Sequence, residues 1–371
     1  MTEDQRDVLN QFIQAIEEEK PDAVIIAGDL YDRAVPPTEA VNLLNDVINK
    51  IILDLKTPVL AIVGNHDSPS RLDFGSKIMR DNGLHLVGQL SKELEPVVLN
   101  DQYGEVYFHL IPYVDPSVVR HVFEDDTIAS HDDAFKRIIS EIEKNMDQSS
   151  RHVFVGHAFV TPKGEAKENT SESERVLSIG GQEHVNASYF KPFHYTALGH
   201  LHQAHYVENE TIQYAGSPLK YSISEEHHQK GFLIVDLDQD GQVTVEKRHF
   251  KPKRDLYTVE AKMDELLTYQ KNDDYVFVRL LDETPVLYPM EKIRSVYPNC
   301  MHVERNTTPF LQSENEETTR VERHKMDHLE LFKAFYKEVK GDDVSAETEK
   351  LFTDIFNDVL NENREAIKSP K

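Results

Sequence analysis

Asp22-Ala-Val-Ile-Ile-Ala-Gly28 runs straight into Asp29-Leu-Tyr-Asp-Arg33, a continuous apolar stretch that stops on a glycine and then delivers two carboxylates. An unbroken apolar run bounded by turn residues fits a strand buried on both faces, the kind found in parallel sheets covered by helices. Pro58-Val-Leu-Ala-Ile-Val-Gly64 repeats the pattern and ends in Asn65-His66-Asp67. A helical spacing over Thr38–Leu53 separates the two runs. A second helix precedes the first run: Thr2 and Gln5 have the form of a capping box, and Val8, Leu9, Phe12, Ile13 and Ile16 follow on one face.

Similar apolar runs recur at Val106–Ile111, Val153–Gly156 and Tyr195–Gly199, with a helical segment over about Asp132–Met146. Together they predict an α/β layered domain. Beyond about Thr211 the pattern changes to short alternating segments, Ile212–Ala215, Phe232–Leu237 and Val243–Phe250, which predict a mainly antiparallel second sheet packed on the first. Lys251-Pro-Lys-Arg-Asp255 reads as a boundary, so residues 1–250 form one domain and 251–305 a small α+β cap. Asn306–Arg323 is polar and acidic, which makes 306–326 a solvated linker. Two amphipathic helices are expected within 327–371. One carries Leu329, Leu331, Phe332, Phe335 and Tyr336, and the other Leu351, Phe352, Ile355, Phe356 and Val359.

The chain has 371 residues and 39% hydrophobic content, enough for an ordinary packed core. No apolar run is long enough for a membrane span, and the opening Met-Thr-Glu-Asp is unlike a secretory signal. One cysteine, Cys300, cannot form an internal disulfide, and a cytoplasmic location is expected. The formal net charge is −25; residues 1–250 carry 22 basic and 41 acidic groups, the remainder 19 and 25. Such a surface repels a phosphate backbone, so composition by itself argues against a nucleic-acid partner unless bound cations or a basic partner offset it.

Chemistry concentrates where the apolar runs stop. Gly28-Asp29-Leu30-Tyr31-Asp32-Arg33, Gly64-Asn65-His66-Asp67, Gly156-His157-Ala158 and Gly199-His200-Leu201-His202 each follow a strand. In extended backbone, residues two apart point the same way, so His200 and His202 can address one site. Four strand ends offering nitrogen and oxygen ligands, with no cysteine, suit Mn, Fe or Zn. His227-His228, following Glu225-Glu226, fits a solvated polar turn; Lys220 and Arg175 could meet phosphate or form salt bridges; His184, His194 and His205 have no motif context.

The order of these four clusters resembles motifs two to five of the calcineurin-like metallophosphoesterases, and the chain as a whole is similar to their SbcD nuclease branch. Thr170-Ser-Glu-Ser-Glu-Arg-Val-Leu-Ser-Ile-Gly-Gly181 and Tyr214-Ala-Gly-Ser-Pro-Leu-Lys-Tyr-Ser-Ile-Ser-Glu225 resemble segments of that branch in particular. The resemblance implies a four-layer α/β/β/α sandwich with a small cap domain and carboxy-terminal helices. It implies two divalent metal ions, with Mn(2+) preferred. Asp29 would bridge them, Asn65, His157 and His200 would complete the second site, and His202 would serve the first. His66 would be the catalytic histidine, and the Asp32 carboxylate is expected to orient it. The implied activity is hydrolysis of DNA phosphodiesters, as a 3′–5′ exonuclease on duplex ends and an endonuclease on single strands and hairpins. The implied partner is the SbcC ATPase, with the nuclease as a homodimer inside a heterotetramer. The two carboxy-terminal helices would dock on that ATPase or pack on their own cap. A small-molecule phosphodiesterase and a scaffold without catalysis are the alternatives.

One element of the family pattern is missing from these residues: no Asp-x-His precedes Gly28. The first metal site therefore draws on Asp29 and His202 alone. Either a start about 20 to 25 residues upstream or a truncated product would account for this, and the intact downstream pattern favours the upstream start.

Overall fold

The computed structural model describes residues 2–163, 183–282, 284–305, 328–353 and 355. Two compact units emerge, Met1–Glu304 and Arg305–Lys371. The Thr170–Gly181 segment with Arg175, the 306–326 linker and the end of the last expected helix lie outside the described residues.

The first unit begins with α1 (Thr2–Glu19), β1 (Val24–Ala27), α2 (Thr38–Asn49), β2 (Val59–Ile62), the short helices α3 (Pro69–Leu72) and α4 (Ser76–Arg80), and β3 (Leu84–Val87). Strands β1, β2 and β3 are parallel neighbours, with Ile26 opposite Ala61 and Ala61 opposite Leu86. Every residue of β2 is buried, as its unbroken apolar run predicts. Val59 and Ala61 pack with Ile16 of α1 and Leu43 and Val47 of α2, while Leu60 and Ile62 face the other way into a second core.

That second core is shared with a six-stranded sheet. The chain continues through β4 (Val97–Asp101), β5 (Gly104–Ile111), α5 (Pro116–Phe123), α6 (His131–Glu143), β6 (Arg151–His157), β7 (Phe159–Thr161), β8 (His184–Asn186), β9 (Tyr195–Gly199), β10 (His205–Val207) and β11 (Asn209–Tyr214). The sheet order is β10-β11-β9-β6-β5-β4. Val106, Leu110, Val153, Val155 and Tyr195 from this sheet meet Leu60 and Ile62 from the first. Its opposite face packs Phe154 and Leu198 against Phe135, Ile138 and Ile142 of α6 and Val119 and Phe123 of α5. The layers are therefore helices, sheet, sheet, helices. The hairpin β12 (Gly231–Leu237) and β13 (Val243–His249) adds Val235, Leu237, Val243 and Val245 to the core between the sheets.

One strand differs from the sequence expectation. Instead of entering an antiparallel sheet, β11 lies parallel to β9, with Ile212 opposite Thr196. Strand β10 takes the antiparallel direction beside it, with His205 opposite Tyr214, so β11 returns in register with the parallel core. Short alternation reveals which side chains face inward and carries no information on strand direction.

A further α+β stretch comprises β14 (Leu256–Ala261), α7 (Met263–Leu266), β15 (Tyr275–Leu280), α8 (Pro289–Ile293) and β16 (Cys300–Arg305), and its core holds Leu266, Val276, Val278, Leu280 and Ile293. Cys300 is one of its buried apolar groups. In the second unit, α9 (His328–Lys340) and a helical stretch over 346–353 meet through a stack of Phe332 on Phe352 and an ion pair between Lys333 and Glu349. Phe335, Leu351 and Ile355 are exposed. No helix among the described residues is long and apolar enough to cross a membrane.

Tyr214 ties the end of β11 to β7: its buried hydroxyl donates to the Ala158 carbonyl at 2.7 Å and accepts from the Val160 N–H at 2.6 Å. Tyr214→Phe leaves both backbone groups without that oxygen in a dry core, and should cost about 1–3 kcal/mol. The midpoint of urea unfolding measures this; an unchanged midpoint would show that the backbone groups find other partners.

Candidate metal centre

Because β1, β2, β6 and β9 are parallel within their sheets and are covered on both faces, their following loops collect along one seam between the sheets. Close backbone approach makes that seam. A Cβ on Gly28 would sit 2.2 Å from His157 Nδ1, and one on Gly64 would sit 2.1 Å from Asp29 Oδ1. Gly28 also has φ of +93°, which glycine adopts without a Cβ clash. Asp29 and His200 themselves have φ of 48° and 103°. Those are strained positions for non-glycine residues, and the surrounding contacts must hold them.

The contacts that do so are visible. Asp67, buried at the end of the second cluster, accepts the N–H groups of Leu30, Tyr31 and Gly64 at 3.0, 2.9 and 2.9 Å. It thereby clamps the loop after β1 onto the loop after β2. Burial raises its pKa, and the three N–H groups oppose that rise. The sequence places Asp67 in the cluster but offers no signal that it is a clamp.

Asp29 Oδ1 accepts the His66 N–H at 3.0 Å, while Oδ2 lies 3.3 Å from His157 Nε2. Burial pushes the Asp29 carboxyl up, but the charge and hydrogen bond of His157, with the His66 N–H, outweigh it and hold the pKa at about 2. His157 is 1% exposed. Burial disfavours its charged form, and Asp29 overcomes this to raise the pKa. Its Nδ1 donates to the Ala27 carbonyl at 2.9 Å, which turns Nε2 towards Asp29 and towards Asn65 Oδ1, 2.8 Å away. His200, also buried, stacks edge-on at 5.4 Å from the His157 ring. Burial, then the charge of His157, depresses its pKa to about 3; His202 and His66 act in the same direction. Asp29, Asn65, His157 and His200 are thus brought together, with His202 and His66 within electrostatic reach.

These groups fit a divalent cation by chemistry. Oxygen and imidazole nitrogen are hard-to-borderline ligands, and Asn65 Nδ2 is buried with no hydrogen-bond partner, so the protein satisfies only the oxygen end of that amide. In this arrangement no three His, Cys, Asp or Glu side chains among the described residues surround one point as a ready ion cage. Instead, Asp29 Oδ2 and Asn65 Oδ1 meet His157 Nε2 directly, three donor atoms that would open around a cation.

His66 departs from the sequence expectation in one respect. Its Nδ1 lies 2.9 Å from the main-chain oxygen of Asp32, whereas the Asp32 carboxylate is exposed and pairs with Arg33 at 2.8 Å. The orienting group is a carbonyl, because the turn from Asp29 to Asp32 directs the backbone at His66 and the side chain at solvent. His202, 17% exposed at its side chain, holds its Nδ1 3.0 Å from the wholly buried carboxylate of Glu225. Sequence reading missed Glu225, together with Lys230 beside it. The expected solvated turn is solvated at His227, whose side chain is 92% exposed, but Glu225 two residues earlier is wholly buried. His184, His194 and His205 lie outside the cluster described here.

The Asp29–His157 pair has a defined pH window. A depressed carboxyl pKa contributes stability above its ordinary value of 3.8, which is lost as pH falls through about 2. A raised imidazole pKa contributes stability below its ordinary 6.5, which is lost as pH rises through the folded value. In metal-free protein the stability gap between wild type and Asp29→Asn should therefore be largest between about pH 4 and 6.5 and should narrow on both sides. Chemical unfolding across pH tests this, and a flat gap would show that the pair is not ionised.

Residues 2–204 match the calcineurin-like phosphoesterase family, and residues 252–340 match the SbcD carboxy-terminal domain family, described as the type 5 capsule protein repressor C-terminal domain. The chain is 32% identical over 349 residues to the SbcD subunit of the nuclease SbcCD from Staphylococcus epidermidis (strain ATCC 12228 / FDA PCI 1200), covering 93% of this chain and 90% of the relative. With the layered sandwich and the seam of carboxylate, amide and imidazole groups, these matches place the chain in the calcineurin-like phosphoesterases, within the branch of the SbcD nuclease subunits.

Proposed function

We propose that the chain is the nuclease subunit of an SbcCD-type complex and hydrolyses DNA phosphodiesters during end processing in replication, repair and recombination. The observation that carries this is the convergence of Asp29, Asn65, His157 and His200 from four strand ends on one seam, in a chain 32% identical to an SbcCD nuclease subunit over nearly its whole length. The substrates are duplex ends, cut 3′ to 5′, and single strands and hairpins, cut internally. Residues 1–250 form the nuclease domain and 251–305 the cap.

Asp29, Asn65, His157 and His200 would hold one divalent ion, with Asp29 and His202 holding another, and Mn(2+) is the ion proposed. When bound, such a pair supplies an acidified water and neutralises charge on the phosphoryl oxygens. The chain's own residues do the positioning. His157 is fixed by its bond to the Ala27 carbonyl, so that Nε2 is the ligand atom. His200, with a pKa near 3, is neutral at pH 7 and keeps a lone pair to donate. His66 is held at Nδ1–H by the Asp32 carbonyl, and in its imidazolium form its Nε2–H would protonate the leaving oxygen or steady the phosphoryl charge.

Two surfaces support the assembly. Phe335, Leu351 and Ile355 are exposed on the paired helices of the second unit, as a segment docking on the SbcC coiled coil requires. Val35 in the loop after β1, which Arg71 reaches at the Ala34 carbonyl, is exposed, as are Phe74 and Ile78, and they suit a homodimer face.

The test is cleavage of a DNA hairpin by the chain with its ATPase partner and Mn(2+), alongside metal stoichiometry. Asp29→Ala should abolish both metal binding and cleavage. His66→Ala should keep the metal and slow cleavage by about 10²- to 10⁴-fold. Equal loss of metal in the two variants refutes this division of labour. Cleavage confined to small phosphodiesters would replace the substrate, and one ion or none per wild-type chain would favour a scaffold.

A further inference from the structure

Beyond the seam itself, the segment from Ser217 to Lys230 places a buried ion pair against His202. Glu225 is wholly buried. One of its carboxylate oxygens lies 3.0 Å from His202 Nδ1, and the other is hydrogen-bonded by Lys230 Nζ. Lys230, 8% exposed, also donates to the His202 carbonyl at 2.8 Å and to Ser217 Oγ at 2.7 Å, and its Nζ lies 3.4 Å from His228 Nδ1. Ser217 returns to the same place, its N–H donating to the His202 carbonyl at 3.2 Å. His202 is thus gripped at its ring and at its main chain by one charged pair.

Stability does not explain such a pair. Two buried charges lose their hydration, and apolar residues of similar size at such positions often fold as well or better. What an apolar pair could not do is accept the hydrogen bond of an imidazole. Glu226, next in sequence, faces elsewhere: its carboxylate accepts the Thr258 N–H of β14 at 2.7 Å, which anchors the segment to the cap.

We propose that Glu225 and Lys230 are positioning residues for His202. The Glu225 carboxylate takes the hydrogen bond of Nδ1–H, so that Nε2 would be the ring nitrogen that meets a cation, and Lys230 fixes both that carboxylate and the His202 backbone. A carboxylate behind a metal-binding imidazole orients the ring and raises its basicity. The same logic operates at His157, where the Ala27 carbonyl plays the part of Glu225. The role as metal support rests on the two-ion reading of the site, whereas the orientation of the ring does not.

The experiment uses the full chain with ¹⁵N-labelled histidine rings, metal-free, with the His202 signals assigned by their loss in His202→Gln. Wild type should show the Nδ1–H tautomer at His202; the Nε2–H tautomer there overturns the proposal outright. Two double variants remove both charges together, so neither is left buried and unpaired. Glu225→Gln with Lys230→Met keeps an acceptor oxygen and should keep the tautomer, with a smaller loss of Mn(2+) affinity than a variant that lacks the acceptor. Glu225→Leu with Lys230→Met removes the acceptor while filling similar space, should release the tautomer, and should weaken Mn(2+) binding at the His202 site by about 10- to 100-fold. Equal behaviour of the two double variants, in either direction, refutes a positioning role. The tautomer is read without metal or DNA, so failure of the nuclease reading would leave this result standing, and the reverse also holds.

Discussion

The contact between the Asp29 carboxylate and the His157 ring joins the two sheets at the end where their parallel strands stop. Asp29 follows β1 in one sheet and His157 ends β6 in the other, and the His157 Nδ1 bond to Ala27 places a second link beside the first. A buried carboxylate and a buried imidazole would each be costly alone, and each is tolerated because the other is there. The sandwich therefore does not close on apolar packing only. Its core of Leu60, Ile62, Val153 and Val155 brings the sheets face to face, and this polar pair sets how their ends meet.

Around that pair the backbone is held in conformations that local preference would not choose. Asp29 and His200 have positive φ, and each such position costs on the order of 1–3 kcal/mol unless its surroundings impose it. Asp67 is part of what imposes it, by collecting three N–H groups from two loops on one carboxylate. Glu225 and Lys230 do comparable work for His202 from the opposite side. The seam residues thus stand on two buried carboxylates, and the accuracy of the seam depends on those supports.

How much of this can be read from sequence follows from what each feature depends on. Strands buried on both faces announce themselves, because β2 and β6 have no solvent side to interrupt their apolar runs. The polar clusters at their ends are equally legible, since polar groups ending a buried strand need partners. Direction is less so: the alternation of β11 is the same whether it runs with or against β9. Contacts made by the main chain are invisible, which is why the carbonyl of Asp32, and not its carboxylate, orients His66. Glu225 escapes for a different reason. In a run of polar residues, nothing distinguishes the one side chain that turns inwards from exposed His227 beside it, and only the fold brings Lys230 and His202 to meet it.

The protonation states at the seam also bear on the objection raised by the chain's net charge of −25. At neutral pH His200 is uncharged and Asp29 is ionised, the forms in which each can donate to a cation. His157 is held towards its charged form, by the same carboxylate that a cation would share. A cation entering the seam would replace that proton as the partner of Asp29, so its binding is coupled to proton release and strengthens as pH rises. The acidic surroundings that repel a phosphate backbone favour this exchange, because they attract the cation first. With divalent charge bound at the seam, the local field facing a phosphodiester would no longer be that of the bare chain. A strongly acidic protein and a polyanionic substrate would then be compatible through the order of binding, metal before DNA.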